Sequence, residues 1–125
     1  MAHVLVVDDD PDIRELLRLT IDMAGHVVTT ASDGIHGLER LSQDRFDVVV
    51  LDGMMPRMSG LELLQRLRAG ACLTQPFVMM ISAHNDACAV RDALAAGADE
   101  YWAKPFSVVD LRKRIDAILP PVSTR

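Results

Sequence analysis

Residues 4–11 read Val-Leu-Val-Val-Asp-Asp-Asp-Pro. A short, continuous apolar run rich in β-branched residues, ending abruptly in acid, is the pattern of a strand buried on both faces. Asp10 is a good helix N-cap and Pro11 fits the first helical position. Ile13, Leu16, Leu17, Thr20, Ile21 and Ala24 then recur at helical spacing until Gly25. The same strand-then-helix unit repeats along the chain. Val27 to Ala31 is a second strand, and Gly34 to Gln43 a second helix with Ile35, Leu38 and Leu41 on one face. Val48 to Leu51 ends in Asp52, and Ser59 with Glu62 forms a capping box for a helix reaching about Ala69. Phe77 to Ile81 stops at Ser82, Asp86 to Ala96 is closed by Gly97, Glu100 to Ala103 is a fifth strand, and Ser107 with Asp110 caps a last helix to Leu119. Strict alternation of apolar strands with helices predicts a doubly wound α/β domain with a parallel sheet covered on both faces.

Composition bounds the function. The 125 residues suit one domain, half of them hydrophobic and 25% charged. A net charge of −5 argues against a nucleic-acid surface. Cys72 and Cys88 are too far apart for a CxxC motif and read as free thiols in a reducing compartment. No apolar stretch approaches the ~18 residues of a membrane span, and no basic leader opens the chain, so the expectation is a cytoplasmic protein with no membrane or direct nucleic-acid partner. Pro120 to Arg125 reads as a disordered tail or the start of a linker, leaving residues 1–119 as the domain.

In doubly wound sheets ligands bind beyond the carboxyl ends of the strands. The residues closing those strands are Asp8 and Asp9, Asp52, Ser82 and Lys104. Three carboxylates gathered on one rim repel by roughly 4 kcal/mol per pair at 4 Å with an effective dielectric near 20, so the cluster calls for a cation. An all-oxygen, cysteine-free set suits Mg²⁺ or Mn²⁺, with positions left for water and phosphate. Lys104 and Ser82 then read as phosphate partners. The methionines Met54, Met55, Met58, Met79 and Met80 read as packing. Trp102, facing opposite to Tyr101 on its strand, reads as a core or helix contact. His3, His26 and His36 read as surface or strand-edge residues.

The chain resembles the receiver domain of bacterial two-component response regulators, of chemotaxis-regulator type, from about His3 to Leu119. The resemblance rests on Val-Val-Asp-Asp-Asp-Pro at 6–11, Leu-Asp-Gly-Met-Met-Pro at 51–56, Ser59-Gly60, Ile-Ser-Ala at 81–83, Gly-Ala-Asp at 97–99, and Tyr101 with Lys104-Pro105-Phe106. It implies a flavodoxin-like (βα)5 fold with strand order 2-1-3-4-5. It implies Asp52 as phosphoacceptor, and Asp8, Asp9, Asp52 and the Met54 backbone carbonyl as the Mg²⁺ site. It further implies Lys104 and Ser82 as phosphate ligands, Ser82 and Tyr101 as the switch pair, and a cis bond before Pro105. The implied function is a switch rather than an enzyme acting on other molecules. It would take a phosphoryl group from a phosphohistidine of a sensor histidine kinase or phosphotransfer protein and change the face made by the fourth helix, fifth strand and fifth helix. The implied output is a downstream protein target or effector domain, with the chain a monomer or weak dimer. Gly53 and His84 depart from the usual pattern beside the phosphate. Glu100 and Arg114 offer one charge pair of the kind that joins receiver dimers, whereas Val90 and Ala95 fall where charge is usual.

Other classes fit less well. A haloacid-dehalogenase-like phosphatase needs a second Asp two positions after the nucleophile, where this chain has Met54; a flavodoxin needs a hydroxyl- and glycine-rich phosphate loop where it has Asp8-Asp9-Asp10. A constitutive interaction module of receiver fold is the remaining alternative, and such modules usually lose part of the acidic pair, the acceptor or the lysine. No effector domain fits in this length, so the chain is expected to be a stand-alone regulator or a piece of a larger regulator or hybrid kinase.

Overall fold

The computed structural model describes residues 2–70 and 74–118, so Cys72 and the Pro120–Arg125 tail lie outside the described residues. Five units follow in order: β1 His3–Val7, α1 Pro11–Met23, β2 Val27–Ala31, α2 Gly34–Gln43, β3 Val48–Asp52, α3 Gly60–Arg68, β4 Phe77–Ser82, α4 Ala87–Ala96, β5 Glu100–Ala103 and α5 Val108–Ile118. The strands form one parallel sheet in the order β2-β1-β3-β4-β5. Each helix start has the expected chemistry. Asp10, Asp33, Ser59 and Asp86 accept backbone N–H bonds at the heads of α1 to α4, and Ser107 does so for Asp110 at α5.

Alternation along the buried strands splits the interior into two cores. Leu5, Val7, Val49, Leu51, Val78 and Met80 face α2, α3 and α4, meeting Leu41, Leu63, Leu64, Leu67 and Ala93. Val4, Val6, Val48, Val50, Met79 and Ile81 face α1 and α5, meeting Leu17, Ile21, Leu111 and Ile115. On β5, Tyr101 packs against the first core and Trp102 against the second, as alternation demands. Burying a side chain such as Leu17 or Leu111 contributes about 1.5–3 kcal/mol, and these two cores hold the sheet between its helices.

Two sequence expectations need correction. Ile35 is 45% exposed, while α2 buries Gly34, Gly37 and Leu41. The cause is close approach: a Cβ on Gly37 would lie 3.1 Å from Val7, so the helix packs through its glycines rather than its bulkiest residue. Leu16 is likewise 49% exposed, α1 burying only Leu17 and Ile21. His26 stands just before the edge strand β2, with its side chain only 9% exposed and its Nε2 2.7 Å from Asp116 on α5. His3 bonds to Thr29 at 2.8 Å and packs at a tilt against Phe46, which agrees with a strand-edge position.

Among the described residues no helix is long and apolar enough to cross a membrane. Cys88 is a free, exposed thiol.

Candidate functional site

The carboxyl ends of β1 and β3 are adjacent because these strands pair directly, Val7 opposite Leu51. The chain therefore brings Asp8 and Asp9 beside Asp52, and carboxylate oxygens of all three lie within 4.8 Å of one another. Asp8 and Asp52 are buried and Asp9 is exposed. Asp8 is held from its own loop: its Oδ1 accepts the Asp10 N–H at 2.9 Å, and Arg14 donates to its backbone carbonyl at 2.8 Å. Lys104, delivered by the end of β5, places Nζ 3.2 Å from Asp52 Oδ1 and 3.5 Å from Asp8 Oδ2. The peptide bond between Lys104 and Pro105 is cis.

The electrostatics follow from this crowding. Burial, then the neighbouring Asp8 charge, push the Asp52 carboxyl up to about 6, against the opposing pull of the Met54 N–H and Lys104. Burial works to lower the Lys104 ammonium, but the Asp52 and Asp8 carboxylates outweigh it and hold that group above its ordinary range. One ammonium facing three carboxylates leaves an excess of negative charge, and every side-chain donor is a hard oxygen. That donor set fits Mg²⁺ or Mn²⁺ and suits no soft metal. Met54 is half exposed on the loop just beyond Asp52, and its N–H donates to Asp52 Oδ1 at 3.2 Å.

Ser82 is buried at the end of β4, and its Oγ accepts the His84 N–H at 3.0 Å. The Tyr101 hydroxyl donates to the His84 carbonyl, so one residue links the two expected switch groups. Gly53 makes room for this arrangement, since a Cβ there would sit 2.9 Å from Ser82 Cβ and 3.0 Å from its Oγ. Beside Gly53 lies an open cavity of about 710 Å³, lined in part by Met55, Leu61, Met80, Ala93 and Tyr101. His84 itself points outward toward Asp86, with 3.5 Å between Nε2 and Oδ2 and both side chains mostly exposed. Glu100 is paired with Arg114 within the chain and also accepts from Trp102 Nε1.

Two supporting residues escaped the sequence reading. Gly60 lies so close under the acceptor that a Cβ would meet the Asp52 carbonyl oxygen at 2.3 Å and Gly53 Cα at 2.7 Å. The pair Ser59-Gly60 is visible in the sequence, but nothing in it says which backbone that glycine approaches. Arg57 adopts φ of 67°, a left-handed conformation that costs an L residue about 1–2 kcal/mol. Its guanidinium lies 2.7 Å from Asp33 Oδ2. The His36 N–H chiefly, aided by Arg57 and countered by burial, holds the Asp33 carboxyl below its ordinary range. An exposed arginine in a loop carries no periodic signal that could have revealed the contact.

Comparison with known proteins agrees with this fold. The family model of the response regulator receiver domain matches residues 4–116. The chain is 41% identical over 119 residues to the response regulator MprA of Mycobacterium ulcerans, covering 94% of this chain and 50% of that protein. It is 44% identical over 118 residues to the transcriptional regulatory protein CseB of Streptomyces coelicolor, covering 94% of this chain and 49% of that one. The chain thus spans about half the length of the curated relatives it matches. Among solved structures, the receiver domain of the Francisella response regulator 1452 superposes with a TM-score of 0.87 at 33% identity, covering 94% of this chain and 96% of that one. The chain belongs to the response regulator receiver domains, the phosphorylation-controlled components of two-component signalling.

Proposed function

We propose that Asp52 is the phosphoacceptor of this domain and that its donor is a phosphohistidine on a sensor histidine kinase or phosphotransfer protein. The observation that carries this reading is the convergence of buried Asp52 with Asp8, Asp9 and Lys104 at the mouth of a receiver fold. An Asp52 carboxylate oxygen attacks phosphorus while the phosphorus–nitrogen bond to the donor imidazole breaks. The bonding pair stays on the imidazole nitrogen, which takes a proton from solvent, and the product is an acyl phosphate. With its carboxyl near 6, Asp52 remains largely ionised at neutral pH, as a nucleophile must. Lys104 sits within reach of Asp52 and stabilises charge on the transferred group. Asp8, Asp9, Asp52 and the Met54 carbonyl would hold Mg²⁺, or Mn²⁺, which when bound supplies further charge neutralisation. Hydrolysis reverses the modification when water attacks phosphorus and the electron pair returns to the Asp52 oxygen.

The phosphoryl group adds roughly −1.5 to −2 of charge and three acceptor oxygens. The Ser82 hydroxyl turns toward one of them, releases the His84 N–H it now accepts, and so disturbs the residue that Tyr101 grips. The change spreads to the face formed by α4, β5 and α5, where a downstream protein target or effector domain reads it. Residues 1–119 act as the regulatory unit, modifying itself rather than turning over other substrates, in the cytoplasm.

Mass spectrometry after incubation with acetyl phosphate or phosphoramidate tests the acceptor. One alkali-labile phosphoryl group is expected with Mg²⁺ and none with EDTA; an adduct that persists in Asp52→Ala overturns the assignment. For the switch, beryllofluoride replaces the phosphoryl group. Ser82→Ala is expected to lose most of the amide shift changes across residues 83–92 and 100–106, and full changes in that variant would disprove the coupling.

A further inference from the structure

The loop that leaves Asp52 is anchored to the sheet at its start and closes on itself at its end. Gly53 N–H donates to the Ile81 carbonyl at 2.8 Å, and Gly60 N–H donates to the Gly53 carbonyl at 3.1 Å. In its middle the loop leans on a different element, the start of α2, through two independent contacts. Met58 nests against Gly34 so closely that a Cβ on that glycine would lie 2.9 Å from Met58 Cβ. One residue earlier, Arg57 reaches the Asp33 carboxylate at 2.7 Å.

The second contact is unusual in its chemistry. The Asp33 side chain is only 10% exposed and divides its oxygens between two tasks, Oδ1 accepting the His36 N–H at the head of α2 and Oδ2 facing Arg57. Arg57 covers that oxygen from the solvent side, its own side chain being 64% exposed, so without the guanidinium water takes its place at little cost to overall stability. Arg57 also holds a φ of 67°, a region where glycine is at ease and an L side chain is not. A glycine at 57 would serve the turn better, so what the arginine adds is its side-chain contact with Asp33.

We propose that Arg57 is a positioning residue which, clamped on Asp33, fixes the backbone of residues 53–58 so that the Met54 carbonyl and the N–H groups after Asp52 face the metal and phosphoryl site. The proposal rests on the phosphoacceptor reading of Asp52. It places the control of the acceptor loop on the β2–α2 connection, outside the acidic cluster itself.

The test uses Arg57→Gly, which keeps the turn and deletes the clamp, with Arg57→Lys, Asp33→Asn and the Arg57→Gly/Asp33→Asn double variant. Asn at 33 still caps α2. Mg²⁺ binding is followed by calorimetry, the metal-free loop by amide relaxation of residues 53–58, and acetyl phosphate transfer by mass spectrometry. Arg57→Gly is expected to raise the Mg²⁺ dissociation constant about fivefold and to mobilise amides 53–58 without metal, while the thermal midpoint of the metal-free protein hardly moves. A fivefold change corresponds to about 1 kcal/mol, within the range typical of coupling between sites. Asp33→Asn should reproduce the loss, the double variant should be no worse than either single one, and Arg57→Lys should restore part of it. Unchanged Mg²⁺ affinity and loop relaxation in Arg57→Gly overturn the clamp, as do effects of the two single changes that multiply in the double variant. A wild-type protein that binds Mg²⁺ but takes no phosphoryl group defeats the acceptor reading alone, and the calorimetric comparison still decides the clamp. A wild type that binds no Mg²⁺ overturns both.

Discussion

Asp52 shows how a single group carries opposing demands. Its carboxyl, near 6 in the fold against an ordinary 3.8, binds a proton more tightly when folded than when unfolded. The stability this group contributes is therefore fully present below about pH 4 and is lost as pH rises through about 6 in metal-free protein. The size is at most about 3 kcal/mol at 1.36 kcal/mol per unit. Asp33 and Glu100, both held below their ordinary range, work in the opposite direction, so the effect must be read against a variant. Urea midpoints of wild type and Asp52→Asn, measured in EDTA from pH 4 to 7, are expected to diverge in favour of the variant as pH rises. A pH-independent difference would contradict a crowded acidic rim. At this scale most of the site was legible, because Asp8, Asp9, Asp52, Ser82 and Lys104 each close a strand and the sheet order gathers strand ends on one edge. The Arg57 contact was not, since it joins two loops 24 residues apart with no pattern in either.

The elements were legible for a related reason. Hydrophobic runs, caps and glycine stops agree with one another along this chain, and the observed bounds fall within a residue or two of those read from the sequence. The faces were less legible where glycine makes the contact. Periodicity of large apolar residues put Ile35 inside α2, whereas Gly34 and Gly37 set how that helix rests on Met58 and Val7. The start of α3 shows the same device under the acceptor. Gly60→Ala would drive a methyl group into the backbone of Asp52 and Gly53, neither of which yields cheaply. A loss above about 3 kcal/mol is expected, at the severe end for a point change, measured by chemical denaturation. Ala at Gly60 with a loss below about 1 kcal/mol would mean that α3 shifts freely, against the packing described. At the opposite end of the sheet, Arg68 on α3 donates to the Gly97 and Pro76 carbonyls at 3.0 and 2.9 Å and to Asp99 at 3.0 Å. Arg68→Ala leaves these acceptors without that donor, and a loss of about 2 kcal/mol is expected in the same assay.

For the molecule as a whole, relief of the acidic rim should register as global stability. A ligand at ten times its dissociation constant stabilises the folded state by about 1.4 kcal/mol, and in a domain this size that raises the thermal midpoint by about 4–6 °C. Calorimetric scans with and without Mg²⁺ are expected to show that rise, and Asp9→Asn to diminish it. An unmoved midpoint at millimolar Mg²⁺ would count against the site. The His26–Asp116 pair, unread in the sequence because it spans 90 residues, fastens the start of β2 to α5.

The division of the interior by the sheet has an optical consequence. The chain has a single tryptophan, and Trp102 lies with α1 and α5 while Tyr101 lies on the other side with α3 and α4. Its indole N–H is engaged by Glu100, itself tied to Arg114. Indole emission therefore gauges the α1 and α5 side of the sheet, and β5 carries it into the face that phosphorylation changes. Beryllofluoride is expected to shift the emission maximum less than urea does, and to shift it together with the amides of residues 100–106. A maximum that stays still while those amides move would confine the change to the α4 side of the sheet.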